Sequence, residues 1–419
     1  YCTEKDMNLK TIRFIDKYIG IPLAYGAFIL KKLFAGFFTQ GCPGQVNRIL
    51  IVKFWGIGNI IMLLPAVKAL QEKHSSAEID ILTLTSNKNV SEDSRMFNHI
   101  YSIDTDSVRN FIKTTVGAFL KLRRVNYDLI IDFEQFARFS SIFCALIGKK
   151  KIVGLDIHYK SRAFLYTNTI EYDNHIHMVK TFFSLAELVG VDHKEYLEPI
   201  NIVYEKQDRS KVLRFLTDKG IREKDVTVVF HIGTSENFSL RRWPLNSFVK
   251  LANRLIDSYG VKIIFTGLAE ENYLAEDAIS CIDRNAFVIN ACDKLSFNEF
   301  VSLIKLSDLV VSADTSAVHI ASCLSVPVVG LYGPNTPVLY GPWGKGCTWF
   351  HKKLSCSPCI TNYNSKMSKC LHPEGQGACM HKISPDEVLD GIKSSYFATD
   401  ALYRLGKLVE NEKTVKTGK

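Results

Sequence analysis

The sequence predicts an α/β fold of two doubly wound, Rossmann-like domains facing a central cleft. Three observations lead there. The chain has 419 residues, more than one ordinary hydrophobic core holds. Short, β-branched apolar runs alternate with helix-like stretches, and this series occurs twice, as buried parallel strands with crossover helices do. A polar region at about residues 195–225 separates the two series. The expected organisation is an amphipathic segment and linker over 1–45, a first domain over 46–205, a second over 206–383, and a C-terminal helix with tail over 384–419 that returns to the first domain.

Composition sets limits on function. A hydrophobic share of 47% with 23% charged residues is that of a globular chain. The net charge of +9 suits an anionic partner. No dense Lys/Arg block interleaved with aromatics is present, so nucleic acid is not expected as a partner. The 11 cysteines are an odd number, and Cys144 and Cys323 lie inside apolar patterns as small core residues. With no cleavage site of small residues evident, a reducing, cytoplasmic location is expected.

The first element is IDKYIGIPLAYGAFILKKLFAGFF (15–38). Its uncharged run, Tyr18 to Leu30, falls short of the roughly 20 residues of a spanning helix. With Lys31 and Lys32 following, it reads as a helix lying in a membrane interface, or one packed on the protein itself. TQGCPGQ (39–45) breaks the helical pattern.

In the first series, ILIVKF (49–54), IDILTL (79–84) and DLIIDF (128–133) read as strands, with helices over 65–73 and 108–123. The turn FWGIGNIIMLLP places Gly56 and Gly58 where strand becomes helix, beside Asn59. Such a turn presents N–H groups, but Ile61 stands at the third glycine of a dinucleotide fingerprint. DLIIDF ends at Asp132, Phe133 and Glu134. That carboxyl end belongs to the expected cleft. Glu134 is the candidate general base, if partial burial raises its pKa; the plainer alternative pairs it with Arg138 one turn on.

In the second series, strands fit 226–231, 261–266, 286–290, 308–312 and 327–332, and helices fit 245–258, 270–281, 296–306 and 315–324. VTVVFH runs into His231, then Gly233, Thr234 and Ser235, with Arg241-Arg242-Trp243-Pro244 beyond. A small-residue turn with hydroxyls and two guanidinium groups suits a diphosphate. Glu270, after IIFTG, is a candidate acceptor for a ribose diol. DLVVS leads to Asp314, Thr315, Ser316 and Ala317 and a helix carrying His319. Its capped first turn, with free N–H groups, suits a phosphate.

Near the end, Cys356-x2-Cys359 is followed by Cys370 and Cys379, a candidate structural zinc site of irregular spacing. SPDEVLDGIKSSY (384–396) begins with a helix cap and a proline at the first turn.

Taken together, Ile57-Gly58-Asn59 through Pro65, Gly233 through Arg242-Trp243-Pro244, and Asp314 to His319 followed by Val326 to Pro334 resemble the motifs of glycosyltransferase family 9, the ADP-heptose:lipopolysaccharide heptosyltransferases and their relatives. The resemblance covers roughly residues 46–395 and implies a GT-B fold. The first domain would hold the acceptor and the second the nucleotide-sugar donor. It implies metal-independent transfer with inversion, most simply of heptose from ADP-heptose onto a lipopolysaccharide core or related glycolipid. The partners so implied are a nucleotide sugar, a lipid-linked saccharide and the inner membrane surface, with the enzyme peripherally attached on the cytoplasmic side. Much of the family has an acid where this chain has Asn59, and an amide takes no proton at neutral pH. Asn59 is therefore read as orienting the acceptor, beside Gly56 and Gly58, with Glu134 as base. Two rivals belong to other classes: a non-catalytic nucleotide-sugar-binding protein and a nicotinamide-dependent enzyme.

Overall fold

The computed structural model describes residues 18, 20–33, 45–148, 150–158, 161–194, 197–203, 206–234, 236–361, 370 and 372–396. The chain divides between Val203 and Tyr204 into two compact units. Each contains one six-stranded sheet in which every described strand pair is parallel.

In the first unit, helix α1 (Gly20–Leu33) precedes β1 (Arg48–Val52), α2 (Ile57–Lys73), β2 (Glu78–Leu84), α3 (Lys88–Ser94), β3 (Ile100–Ile103) and α4 (Val108–Val125). Then come β4 (Leu129–Asp132), α5 (Arg138–Ile147), β5 (Lys151–Asp156), β6 (Asn168–Glu171) and α6 (Met178–Glu187). The strand order is β3-β2-β1-β4-β5-β6. This is the doubly wound order, reversing direction between β1 and β4. Near-continuous Val, Ile and Leu make β1 and β4 the buried centre, as expected for strands covered on both faces. Strands β3 and β6 escape sequence reading because they are short and carry polar residues at the sheet edge, and β5 because Gly154 and the flanking Lys151 and Asp156 break its apolar run.

The second unit opens with α7 (Lys206–Asp218). This helix lies inside the polar stretch read as a boundary; it buries only Val212 and Leu216, so its pattern is faint. There follow β7 (Thr227–His231), α8 (Leu245–Tyr259), β8 (Lys262–Thr266), α9 (Asn272–Ser280), β9 (Val288–Asn290), α10 (Phe297–Leu306), β10 (Leu309–Ala313), α11 (Ser316–Cys323), β11 (Val328–Tyr332), α12 (Pro337–Tyr340), β12 (Cys347–His351), α13 (Ala378–His381) and α14 (Pro385–Tyr396). The order β12-β11-β10-β7-β8-β9 repeats the first sheet's topology, with the reversal between β7 and β10.

The C-terminal helix packs within the second unit. Val388, Leu389 and Ile392 of α14 belong to the core of the second unit, packed against α8 and β12, and Arg254 pairs with Asp386. The apolar face of α14 matches the open side of β12, which is why it docks there. The tail beyond residue 396 lies outside the described residues, as do residues 15–17, 19 and 34–38 of the N-terminal segment.

Candidate functional site

Both sheets present residues at the carboxyl ends of strands beside their reversal points, where ligands of such folds sit. In the second unit this region is built by Trp243. Its ring is fully buried, packs edge-on to Phe248 at 4.9 Å, and its Nε1 donates to the Ile383 carbonyl at 2.9 Å. That anchor fixes the direction of the two arginines just before it. Arg241 Nη1 reaches Asp314 Oδ2 at 3.1 Å and donates to the Asp314 carbonyl at 3.0 Å. Asp314, buried at the end of β10, also accepts from Asn335 Nδ2 at 2.7 Å. Thr315 caps α11 by accepting from the Ala317 N–H at 3.3 Å, and bonds Ser312 at 2.9 Å. Thr315 and Ser316 stay partly open, Ala317 is buried, and His319 is buried with its ring 6.2 Å from Trp343.

The other strand ends are joined by Glu271, the neighbour of the glutamate chosen from the sequence. Its carboxylate is buried and accepts from the Thr234 N–H at 2.7 Å and the Leu268 N–H at 2.9 Å, with Arg242 Nη2 at 3.5 Å. Gly233 is required here by close approach. A Cβ would lie 2.1 Å from Glu271 Oε2. Glu270, the residue chosen from sequence, is exposed while its neighbour turns inward. Adjacent acids on a short turn point in opposite directions, and spacing alone does not say which is buried. Thr234 Oγ1 and Arg242 Nε are buried with no hydrogen-bond partner among the described residues. Ser235 lies outside the described residues.

His231 closes β7. Its Nδ1 lies 3.0 Å from Thr266 Oγ1 and its ring 5.3 Å from Phe300. Burial lowers its pKa to about 4, so the imidazole is neutral. Between about pH 6.5 and 4 the unfolded chain binds a proton on this ring that the folded chain refuses, so stability falls as pH falls. Denaturation midpoints at pH 7 and pH 5 are expected to show the wild type losing up to about 2 kcal/mol more than His231→Gln. Equal losses would place this ring in contact with solvent.

In the first unit, Gly56 caps α2 with φ of +88°, a conformation that favours glycine. The amides of Asn59 and Ile60 donate to its carbonyl. Asn59 Nδ2 donates to the Trp55 carbonyl at 3.1 Å, and its Oδ1 accepts from Gln135 Nε2 at 3.2 Å. Gln135 Oε1 accepts from Lys53 Nζ at 2.7 Å, and Lys53 Nζ lies 2.9 Å from Glu134 Oε2. Lys53 and Glu134 are each 0% exposed. Gly58 is buried in the first turn of α2.

The surroundings of Glu134 differ from those that the reading of it as general base assumed. Partial burial with a raised pKa was required. Instead Oε2 accepts from Lys53 and from the N–H groups of Phe54 and Trp55 at 3.1 Å each, and Oε1 accepts from the Phe136 N–H at 2.7 Å. Burial pushes its pKa up, but Lys53 and these donors outweigh it and hold the carboxyl below its usual value. Burial pulls the Lys53 ammonium down, partly opposed by Glu134. The pair stands as charged, because the ammonium also meets the Gln135 oxygen and lies 5.1 Å from the Phe136 ring. Nor does Glu134 pair with Arg138; its ionic partner is Lys53, on β1's continuation. Asp132 behaves differently: burial raises its pKa, while Tyr166 donates to it at 2.7 Å and Arg162 lies 3.5 Å away.

The cysteines named for zinc are arranged by the backbone. Cys359 Sγ approaches the Cys356 carbonyl at 3.1 Å, Cys370 Sγ the Gly375 carbonyl at 3.6 Å, and Cys379 is buried beneath Gly333. Among the described residues no three His, Cys, Asp or Glu side chains are placed to hold a metal ion.

Known proteins share the family pattern and the fold. The model of glycosyltransferase family 9 (heptosyltransferase) matches residues 118–370. Lipopolysaccharide heptosyltransferase 3 of Escherichia coli (strain K12) is 23% identical over 341 residues, 79% of this chain and 96% of that protein. A glycosyltransferase family 9 structure from Veillonella parvula DSM 2008 superposes with TM-score 0.72 at 18% identity, covering 85% of this chain and 98% of that one. E. coli heptosyltransferase WaaC with ADP superposes with TM-score 0.63 at 18% identity, covering 83% and 99%.

Proposed function

Since the chain belongs to glycosyltransferase family 9, the heptosyltransferases, and is a glycosyltransferase of GT-B fold, we propose that it moves heptose from ADP-heptose onto a lipopolysaccharide core or related glycolipid. The observation that carries this reading is the pairing of Arg241 with Asp314 and of Arg242 with Glu271, each beside a strand-end turn. The similar E. coli proteins, a lipopolysaccharide heptosyltransferase and a heptosyltransferase with ADP, support the choice of sugar and nucleotide.

The reaction is a direct displacement with inversion. The acceptor hydroxyl oxygen attacks the anomeric carbon, its proton passes to water, and the bond from that carbon to the diphosphate oxygen breaks to release the nucleoside diphosphate. Negative charge grows on the leaving diphosphate. Arg241, Arg242 and the amides at Thr315–Ala317 meet it with fixed positive charge and dipoles, the role a metal fills elsewhere. Gly233, Thr234 and His319 shape the donor pocket, and Asp314 and Glu271 hold the arginines in position. Asn59, at the start of α2, orients the acceptor together with the Gly56 turn. The lipid-linked acceptor places the enzyme on the cytoplasmic face of the inner membrane, attached through α1; no helix among the described residues is long and apolar enough to cross it.

Thermal unfolding with ADP, UDP, GDP and dTDP tests the donor. ADP at ~100 times its dissociation constant is expected to stabilise the fold by about 2.7 kcal/mol, more than the others. Transfer from ADP-heptose to a heptose-deficient lipopolysaccharide is expected to persist in EDTA. Lack of stabilisation by any nucleotide, or strict dependence on added metal, would sink this reading.

A further inference from the structure

Helix α4 has a solvent face unlike that of an ordinary surface helix. Its sequence, VRNFIKTTVGAFLKLRRV, turns Ala118 and Leu122 into the first unit's core, with Phe111 and Phe119 packed against it. Val108, Ile112, Val116 and Leu120 recur every fourth residue, so they form one line along the helix. They are 58%, 57%, 51% and 52% exposed. A helix packed on one side only is polar on the other; this one presents aliphatic side chains to water. Arg109, Lys113, Lys121, Arg123 and Arg124 flank the line and are exposed, and the helix contains no Asp or Glu. Arg123 is bound to the Leu146 carbonyl at the end of α5; the other four have no ion-pair partner among the described residues.

A second helix on the same unit repeats the arrangement. α1 buries Ala24 and Ala27 against α5, with Phe28 edge-on to Phe164 at 5.3 Å. It leaves Leu23, Ile29, Leu30 and Leu33 exposed, beside exposed Lys32. Both α1 and α4 pack on α5.

We infer that the aliphatic line of α4, flanked by its cations and supplemented by α1, is a docking surface for an anionic lipid bilayer. Aliphatic residues on one face with Lys and Arg beside them fit the boundary between acyl chains and negative headgroups. A second copy of the chain fits poorly. Pairing two such faces symmetrically brings ten cations from the two helices together with no carboxylate on either. The position also suits the proposed acceptor. α4 begins after the carboxyl end of β3, and Phe111 touches Phe139, which touches Phe54 just before the Gly56 turn, at ring distances of 5.4 Å each. A bilayer held at α4 therefore lies beside the residues proposed to receive a lipid-linked sugar. The inference deepens the membrane attachment proposed above, but it does not depend on which sugar is moved.

The test is co-sedimentation of the full chain with phosphatidylcholine vesicles, with and without phosphatidylglycerol. The wild type is expected to bind the anionic vesicles and to be released by salt. The variant carrying Val108→Gln, Ile112→Gln, Val116→Gln and Leu120→Gln is expected to bind at least tenfold more weakly. Lys113→Gln with Lys121→Gln should lose about fivefold per charge on anionic vesicles only. ADP-induced stabilisation and transfer to a lipid-free saccharide should be unchanged in all of them, which separates loss of docking from loss of fold or of the proposed reaction. Wild-type binding by the four-glutamine variant would overturn the inference and leave attachment to α1. A wild-type dimer that this variant converts to monomer would overturn it in favour of a second copy.

Discussion

Arg241→Ala is expected to lower turnover about 10²–10³-fold, the usual loss on removing one preorganised donor at a site of developing charge. Arg241→Lys is expected to recover most of it. The guanidinium is held from two directions by Asp314, through its carboxylate at 3.1 Å and its carbonyl at 3.0 Å. Asp314 is steadied in turn by Asn335. The charge is thus fixed before substrate arrives. Asp314→Asn should lower turnover through the same arginine, by a smaller factor, because the carbonyl contact remains. Arg241→Ala should destabilise the second unit by less than Glu134→Gln does the first, because Arg241 is 16% exposed and Asp314 keeps Asn335, so turnover is compared where both proteins are fully folded. A variant with near-normal kcat and a raised KM for donor would show that Arg241 binds ground state and transition state equally, and would remove it from the catalytic step.

Glu134→Gln is expected to destabilise the first unit by about 3–5 kcal/mol, because it leaves the Lys53 ammonium buried without its counter-charge. The amide is a poor substitute for a second reason. Both carboxylate oxygens accept, from Lys53 and from the N–H groups of Phe54, Trp55 and Phe136. One end of a glutamine amide is a donor and must face another donor there. Lys53→Met combined with Glu134→Gln should recover a large part of the loss. Because the Glu134 pKa is lowered, its contribution is complete above the unfolded carboxyl's value of about 4.3 and disappears as pH falls through the lower folded value. The denaturation transition assigned to the first unit measures this. A glutamine variant as stable as wild type but inactive on a proven acceptor would restore Glu134 as the base.

Much of the fold was legible in the sequence because its signals are local. Buried parallel strands are mostly apolar, and β1, β2, β4, β7, β8, β10 and β11 read so despite single polar residues such as Asp80 in β2 and Asp132 in β4. Edge strands face water on one side, so β3, β6 and β12 carry mixed residues and leave no such run. The C-terminal helix was readable as a helix, but not its partner. Several apolar surfaces could accept its stripe, and only the assembled second unit shows that β12 and α8 take it.

By itself the sequence determined the turns and the residue types that crowd them: Gly56 before α2, Gly233 ahead of Arg241 and Arg242, and the capped start of α11 at Thr315. A glycine with positive φ, a cap and a proline after tryptophan are each imposed by neighbours a few residues away. Only the tertiary structure decided what the charges do. Glu134 meets Lys53 across 81 residues, Arg241 meets Asp314 across 73, and Glu271 meets Thr234 across 37. A carboxylate at a strand end has the same local signature whether it is poised for proton transfer or locked in a buried pair. Its pKa and access are set by groups that the chain brings together only on folding, and no spacing along the sequence encodes them.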